Sequence, residues 1–301
     1  MSEQDIKKDV REFYDKVGWQ KISEDRFQNA EYEDLRPVSE EYIHRCHMRV
    51  KRHLAPEGRY LLDAGSGPVQ YPDYVTYSEG YQARVCMDIS IIALKAAREH
   101  LGSHGMYVVG DVAHLPFTSN TFDGIVSLHT IHHVPLDEKI TAYEELYRVL
   151  NPGKSMVSVD GWTRAPLMDL LAGFMDMMRR LRNKKEHNQE HALGEPNQSG
   201  QGKGESSPET ETSQAKPSGT FVQKLDAQWL IGALEDRMPY QILVWRSVSV
   251  NFLRSVIHAD WGGRFWLKVI YRLEEWFPQL LGRIGQYPLV VIEKLEQELE
   301  S

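Results

Sequence analysis

Apolar positions in the first part of the chain repeat at the spacing of an α-helix. One stripe, with charged residues around it, consists of Ile6, Val10, Phe13 and Val17. A second helical stripe runs between residues 40 and 54, where Pro56 and Gly58 end it. Residues 1–58 are therefore predicted to form a helical cap or lid outside the main sheet.

From Tyr60 onward, short apolar runs alternate with helical patterns, which is typical of βαβ units and a parallel sheet covered on both faces. Strands are predicted at residues 60–62, 84–87, 106–109, 124–128 and 155–159. Helices are predicted at residues 91–100 and 139–150, the second ended by Asn151-Pro152-Gly153. Because this spacing leaves room only for short connections, the pattern favours a doubly wound sheet over a barrel. Residues 59–160 are predicted to be the core.

The pattern changes between residues 161 and 225. A broad apolar face predicts a helix over residues 161–182, and its basic end favours a helix C-terminus over a phosphate or membrane contact. Residues 183–219 contain three apolar residues and no Phe, Trp or Tyr. Such a composition cannot offset the entropy of ordering, so a disordered loop inserted within one domain is predicted there.

The last part of the chain, residues 226–301, is predicted to complete the sheet. A helix is expected over residues 226–236, and β-rich runs at 240–250 and 288–292 bring the strand number to seven. Between these two runs, residues 251–287 are dense in Trp, Phe and Tyr. This segment is predicted to be a helical cap that either completes the core or walls a substrate pocket.

Bulk composition narrows the class of protein. The formal net charge of −8 over 301 residues argues against nucleic-acid binding, which depends on clustered Lys and Arg. Two cysteines, Cys46 and Cys86, cannot make a disulfide framework or a cysteine zinc site, so no metal and a cytoplasmic setting are expected. No apolar run reaches the roughly 20 residues of a membrane span. Peripheral membrane contact and the oligomeric state stay open.

The first predicted core strand leads into a tight turn, Gly65-Ser66-Gly67, that suits close approach of the backbone to a ligand. A Gly-x-Gly turn by itself is a weak signal. The dinucleotide fingerprint requires a third glycine at position 70, where this chain has Gln70, and it does not require the acid Asp63 before the turn. The turn alone therefore leaves the ligand undecided.

Five stretches in order between Tyr60 and Gly161 resemble the class I S-adenosylmethionine-dependent methyltransferases. They are LLDAGSGP, CMDIS, GDVAHLPF, FDGIVSLHTIHHVP and ELYRVLNPGKSMVSVDG. The chain looks most like the small-molecule branch, of the type 11 and type 25 methyltransferases, which includes quinone-biosynthesis enzymes. The resemblance implies an α/β fold: a doubly wound, mainly parallel, seven-stranded Rossmann-like sheet with helical cap insertions. It also implies S-adenosylmethionine as cofactor.

The resemblance assigns cofactor contacts to Asp63, Gly65, Ser66, Gly67, Asp88, Ile89, Asp111, Val112 and His129. Asp88 would accept hydrogen bonds from the ribose hydroxyls, since an ionised carboxylate offers only acceptors. Asp111 and Val112 would meet the adenine ring, and the glycine turn would pass beneath the amino-acid part. Asp63 would orient the turn, meet the cofactor's ammonium through water, or have a purely structural role. Pro68 and Pro72 depart from the family pattern and predict a short, irregular helix after the turn.

Methyl transfer from a sulfonium is an in-line displacement that depends mainly on holding the acceptor in place. A general base is needed only when the acceptor must lose a proton. The candidates are His129, His132 and His133, which follow the fourth strand, with Asp160 as a second choice. Each histidine has a structural role as the alternative. Tyr14 and Trp19 either close over the cofactor or only pack.

The substrate class is inferred from absent motifs and from the caps. No Asn-Pro-Pro-Tyr, Asp-Pro-Pro-Tyr or Pro-Cys motif is present, which argues against methylation of nucleic-acid bases. The Met- and Trp-rich caps suit a small apolar or lipid-linked acceptor, methylated at oxygen or carbon, although these residues could equally only pack. Two alternatives are methylation of a sugar in cell-surface polysaccharide assembly and a non-catalytic S-adenosylmethionine-binding partner protein.

Overall fold

The computed structural model describes residues 3–23, 26–193 and 220–296. The strands are β1 (Lys21–Ser23), β2 (Arg26–Phe27), β3 (Gly58–Ala64), β4 (Tyr81–Asp88), β5 (Gly105–Val109), β6 (Gly124–Leu128), β7 (Ser155–Val159), β8 (Tyr240–Arg246) and β9 (Tyr287–Glu293). The helices are α1 (Glu3–Phe13), α2 (Glu40–Lys51), α3 (Pro72–Val75), α4 (Ile91–Leu101), α5 (Lys139–Val149), α6 (Pro166–Leu193), α7 (Ala227–Leu234), α8 (Val250–Val256), α9 (Gly263–Trp276) and α10 (Pro278–Ile284).

Seven of these strands form one sheet in the order β5-β4-β3-β6-β7-β9-β8. All neighbouring pairs are parallel except those of β9, which is antiparallel to both β7 and β8. A separate antiparallel pair, β1 and β2, follows the N-terminal helix. The predicted fold class, a mainly parallel seven-stranded sheet with helical caps, is confirmed.

Neighbouring residues of β3 show how the sheet is covered on both faces. Leu61 packs in a cluster with α2, α8 and α9, whereas Leu62 packs in a cluster with α5 and α7. Both side chains are fully buried because successive side chains of a strand point to opposite faces. The continuous apolar pattern of these strands therefore reflects burial on both sides of a parallel sheet.

The sheet order also positions a crevice. β3 has β4 on one side and β6 on the other, so the chain reverses its winding direction at β3. In open α/β sheets, ligands bind outside the carboxyl ends of the strands at such a switch point. The residues that follow β3, β4 and β6 begin at Gly65, Ile89 and His129, and the candidate site is built from them.

Helix α6 continues to Leu193, into the first part of the segment over which a disordered loop is predicted from residue 183. Residues 183–193 are mostly good helix formers such as Lys, Glu, Gln and Ala, and extending an existing helix avoids the cost of nucleation. The remainder of that predicted loop, residues 194–219, lies outside the described residues.

A second difference concerns the strand predicted over residues 240–250, which ends at Arg246. The side chain of Ser249 accepts a hydrogen bond from the backbone N–H of Phe252 and so caps α8. This N-cap signal competes with the β-rich composition and ends the extended run. Helices α8, α9 and α10 occupy most of residues 251–287, the segment predicted to be a helical cap.

No helix within the described ranges is long and apolar enough to cross a membrane. Among the same residues, no group of three or more His, Cys, Asp or Glu side chains is placed to hold a metal ion.

Candidate active site

A cavity of about 440 Å³ lies at the carboxyl ends of β3, β4 and β6, beneath the N-terminal segment. The structure brings most of the predicted site residues to its wall, namely Gly65, Ser66, Gly67, Asp88, Ile89, Asp111, Val112, His129, His132 and His133. Asp63 and Asp160 do not line this cavity. A volume of this size is typical of small-molecule and cofactor sites.

The floor of the cavity is the turn after β3. The backbone N–H groups of Gly65 and Ser66 both donate to the carbonyl of Met87, at 2.7 and 3.1 Å. Gly65 has φ +76°, and a Cβ atom there would lie 2.2 Å from the side chain of Thr130. Only glycine fits this position, so the close approach of backbone that the sequence predicted depends on it.

Asp88 lies at the end of β4 and accepts two backbone hydrogen bonds. Its carboxylate receives the N–H of Gly67 at 2.9 Å and the N–H of Ser90 at 2.8 Å. Burial raises the pKa of Asp88 to about 6, while these two hydrogen bonds favour the ionised form. Above that pH the site presents a buried carboxylate to the cavity.

Asp63 has a different environment. Its carboxylate forms a buried ion pair with Arg84 on β4, with Oδ2 2.5 Å from Nη2 and 3.1 Å from Nε. The same guanidinium also donates to the carbonyl of Tyr74. These contacts tie β3, β4 and the segment after the turn together, and they support the purely structural alternative for Asp63.

Asp111 contacts a residue that the sequence pattern did not single out. The Nζ atom of Lys7 lies 2.5 Å from Asp111 Oδ2 and 2.5 Å from Glu138 Oε2. Burial opposes ionisation of Asp111, but hydrogen bonds from Lys7 and the N–H of Ala113 outweigh it and lower the pKa of this carboxyl group. Lys7 therefore fastens α1 over the adenine-side motif.

Tyr14 and Trp19 close the cavity from the N-terminal side. Their rings are stacked with centroids 4.9 Å apart, and Trp19 packs over Gly67. The hydroxyl of Tyr14 lies 2.7 Å from Nε2 of His133. Since His133 Nδ1 donates to the carbonyl of Phe221 at 2.7 Å, Nε2 is the acceptor for the tyrosine proton. Nε2 of His133 thus holds the lid residue Tyr14, while Nδ1 is held by the backbone of Phe221.

His132 is the histidine whose tautomer is set by a carboxylate. Its Nδ1 lies 2.5 Å from Oδ1 of Asp160, which leaves Nε2 as the basic nitrogen. Burial lowers the pKa of His132 to about 3 and raises the pKa of Asp160 to about 6, so the imidazole is neutral at neutral pH. Nε2 is then a neutral but weakly basic atom, and it can accept a proton from a bound molecule only with the ionised Asp160 carboxylate beside it to stabilise the imidazolium that forms.

His129 is held differently from its two neighbours. It adopts φ +56°, and its ring packs edge-on against Trp245 and Tyr287 with centroids 5.2 and 6.0 Å away. Burial lowers the pKa of His129 to about 4. The ring forms part of the wall between the cofactor motifs and the far end of the cavity.

That far end carries a buried charge pair that sequence reasoning missed. The Nη1 group of Arg246, at the end of β8, donates to Oε1 of Glu33, and the guanidinium lies over the ring of Tyr287 at 4.6 Å. Although burial opposes it, the charge of Arg246 lowers the pKa of Glu33. In the sequence, the arginine inside the apolar run YQILVWR could have pointed to Arg246. No sequence pattern pointed to Glu33.

Four buried polar atoms on the cavity wall have no hydrogen-bond partner within the described part of the chain. They are Trp19 Nε1, Gln70 Oε1, Thr220 Oγ1 and Arg246 Nε. Because buried polar groups are nearly always paired, this set indicates a ligand that supplies both donors and acceptors. Together with Asp88 and Asp111, these donors and acceptors fit a polar nucleoside cofactor at one end and an acceptor molecule with a polar group at the other.

Comparison with known proteins finds similarity to methyltransferases. Residues 62–158 match the family model described as a methyltransferase domain. The chain is 33% identical over 108 residues to 24-methylenesterol C-methyltransferase 2 of Arabidopsis thaliana, covering 34% of this chain and 29% of that protein. It is 32% identical over 112 residues to demethylmenaquinone methyltransferase of Desulfitobacterium hafniense, covering 35% of this chain and 44% of that protein. The matches thus span less than half of these relatives.

Among solved structures, the fold is similar to that of phosphoethanolamine N-methyltransferase 1 of Haemonchus contortus. The TM-score is 0.55 at 11% identity, and the alignment covers 100% of this chain and 51% of that chain. This likeness concerns the fold alone. Together with the sheet order it supports the fold, and the matched family model identifies residues 62–158 as a methyltransferase domain.

Proposed function

We propose that this protein transfers the methyl group of S-adenosylmethionine to an oxygen or carbon of a small apolar or lipid-linked molecule. The observation that carries the proposal is that one cavity is lined by both the cofactor motifs and His132, whose Nδ1 is held by Asp160. In this proposal Asp88 binds the ribose, Asp111 and Val112 the adenine, and Gly65 to Gly67 the amino-acid part; all of these residues line the cavity. When bound, S-adenosylmethionine supplies a methyl group carried on a positively charged sulfur.

The protein's own residues would then act on the acceptor. His132 Nε2 takes the proton that an acceptor hydroxyl or activated carbon gives up, and Asp160 balances the charge that develops on the imidazole. The lid made by α1, Tyr14 and Trp19 excludes water, which strengthens these interactions and protects the reacting groups. In this proposal the N-terminal lid encloses the reactants, and the pair of His132 and Asp160 removes the proton.

The acceptor class is inferred from the relatives and from the far end of the cavity. The relatives' names describe C-methylation of a sterol and methylation of demethylmenaquinone, both apolar ring systems that carry oxygen. In this chain, Arg246 and Lys224 line the far end and suit an oxygen-bearing end of the acceptor. An apolar body with one polar end fits this combination.

A cytoplasmic setting is part of the proposal. Cys46 and Cys86 are both buried and unpaired, which is usual for proteins of reducing compartments.

The test is methyl incorporation from radiolabelled S-adenosylmethionine into a panel containing a demethylated naphthoquinol, a sterol, a free sugar and no acceptor. We expect product with an apolar, oxygen-bearing ring compound. We expect His132→Gln to lower the rate by about 10²- to 10⁴-fold, the range for loss of a general base. The control His104→Gln, at a histidine that lines neither the active-site cavity nor its neighbour, leaves the rate unchanged. Turnover of the sugar alone would contradict the proposed acceptor class.

A further inference from the structure

Helix α9 carries two apolar faces. Leu267 and Tyr271 face the core and are buried. A second set at helical spacing, Phe265, Val269, Leu273 and Trp276, lies on the opposite side of the helix. Phe265 is 63% exposed and Trp276 68% exposed, so the described residues of the chain leave this second face uncovered. A folded monomer rarely leaves large aromatic residues together in solvent without a binding role.

The apolar stripe has a basic strip beside it. Arg264, Lys268 and Arg272 are exposed and spaced four residues apart, each next to a residue of the stripe in sequence. The following turn and helix α10 extend the apolar surface with Phe277 and Leu280, which are 52% and 55% exposed. We call this surface, Arg264 to Leu280, the α9 face.

The acids of the same helix are already neutralised. Glu274 lies 2.9 Å from Nη1 of Arg49, and Glu275 lies 2.9 Å from Nη1 of Arg52. The α9 face is therefore locally basic on a chain whose formal net charge is −8. A positive patch on an acidic protein indicates a negatively charged partner.

We propose that the α9 face docks on an anionic lipid surface, with the helix lying in the plane of the interface. Trp and Phe side chains favour the headgroup boundary, where the ring is partly in hydrocarbon. Lys and Arg beside them gain about 1 kcal/mol each from a negatively charged leaflet. An apolar stripe flanked by a basic strip is the arrangement that interfacial helices use.

A second copy of the chain fits the α9 face less well. In a two-fold dimer the same patch contacts itself, so the basic strip of one subunit would lie beside the basic strip of the other. The acids that could balance this charge are paired with Arg49 and Arg52. An anionic lipid surface binds both parts of the α9 face, because its hydrocarbon contacts the apolar stripe and its charged headgroups pair with the basic strip.

The location of the face connects docking to the candidate active site. Arg264 and Lys268 also line a second cavity of about 710 Å³, whose wall includes Gln70 and Tyr71. These last two residues line the active-site cavity as well. The proposal that a lipid-linked acceptor is delivered along this side depends on the proposed function. The proposal that the α9 face docks on anionic lipid does not.

The test is flotation of the full chain with vesicles of phosphatidylcholine alone or with 30% phosphatidylserine. We expect binding to the anionic vesicles, weakened by salt. The variants Phe265→Ser/Trp276→Ser and Lys268→Gln/Arg272→Gln should each bind about ten-fold more weakly. Met106→Ser, at an exposed residue on the edge strand β5, is the matched control and should bind as the wild type does. Circular dichroism confirms that each variant is folded.

A labelled variant separates insertion from general attraction. The native thiols Cys46 and Cys86 are buried, so a cysteine introduced by Trp276→Cys can be labelled selectively with an environment-sensitive fluorophore. We expect a blue shift on adding anionic vesicles, and none for a label introduced by Met106→Cys. Equal binding of wild type and Phe265→Ser/Trp276→Ser would overturn the proposal. It would also be overturned by a dimer that these substitutions dissociate, without vesicle binding.

Discussion

The protonation states of His132 and Asp160 determine whether this site can remove a proton. Asp160 holds Nδ1 of His132 at 2.5 Å, and its carboxylate is needed in the ionised form to stabilise a positive imidazole. Burial raises the pKa of Asp160 to about 6, so the pair changes its state within an accessible pH range. Two individual side chains therefore give the reaction a measurable pH signature.

We expect kcat/KM to rise with pH through about 6 and then to level off, because Asp160 must lose its proton before it can support the base. The measurement uses saturating S-adenosylmethionine, because the pKa of Asp88 in the cofactor site is also raised to about 6. Under this condition the step near pH 6 should disappear in Asp160→Asn and the plateau should be lower. Asp176→Asn, at an exposed acid on α6, is the control and keeps the wild-type profile. The same midpoint in Asp160→Asn would exclude this role for Asp160.

Asp63 offers a second test at the scale of one residue. Asp63→Asn leaves the buried guanidinium of Arg84 without its charge partner. Breaking one side of a buried ion pair typically costs about 3–5 kcal/mol, so the melting temperature should fall by several degrees. Below that temperature the affinity for S-adenosylmethionine should be nearly unchanged. A large loss of affinity with unchanged stability would instead assign Asp63 to cofactor binding.

At the scale of elements, α1, the π-helical turn that follows it (Tyr14–Gly18) and Trp19 act as a lid. Polar contacts fasten the lid to the methyltransferase domain: Lys7 contacts Asp111 and Glu138, Tyr14 contacts His133, and Asp15 accepts a hydrogen bond from Ser90. These contacts lie on the rim of the cavity or beside it. We therefore expect them to open when the cofactor enters or leaves.

We expect Tyr14→Phe to speed release of S-adenosylmethionine roughly five-fold, because one net hydrogen bond contributes about 1 kcal/mol to the closed lid. Hydrogen exchange over residues 3–18 should increase in the same variant. The control is Lys16→Ala, whose side chain is exposed and pairs with Glu12 on the same segment. If stopped-flow measurements give the same release rate for Tyr14→Phe and wild type, the lid is not held by this bond.

The whole molecule shows which features a sequence can reveal. The turn at Gly65, the acid Asp88 and the acid Asp111 were predicted because each lies at the end of a strand in a continuous motif. The partners of the site were missed because packing alone brings them together. Lys7 and Asp111 are 104 residues apart, and Glu33 and Arg246 are 213 apart. No local pattern specifies such pairs.

The central claim is that the turn after β3 and the acid that ends β4 hold S-adenosylmethionine. Titration calorimetry with this ligand, on wild type, Asp88→Ala and the exposed control Asp169→Ala, tests it most directly. We expect Asp88→Ala to weaken binding by roughly 1.5–3 kcal/mol, the scale of hydrogen bonds to a charged group, with the control unchanged. Unchanged affinity in Asp88→Ala, or tighter binding of a nicotinamide dinucleotide to the wild type, would contradict the claim.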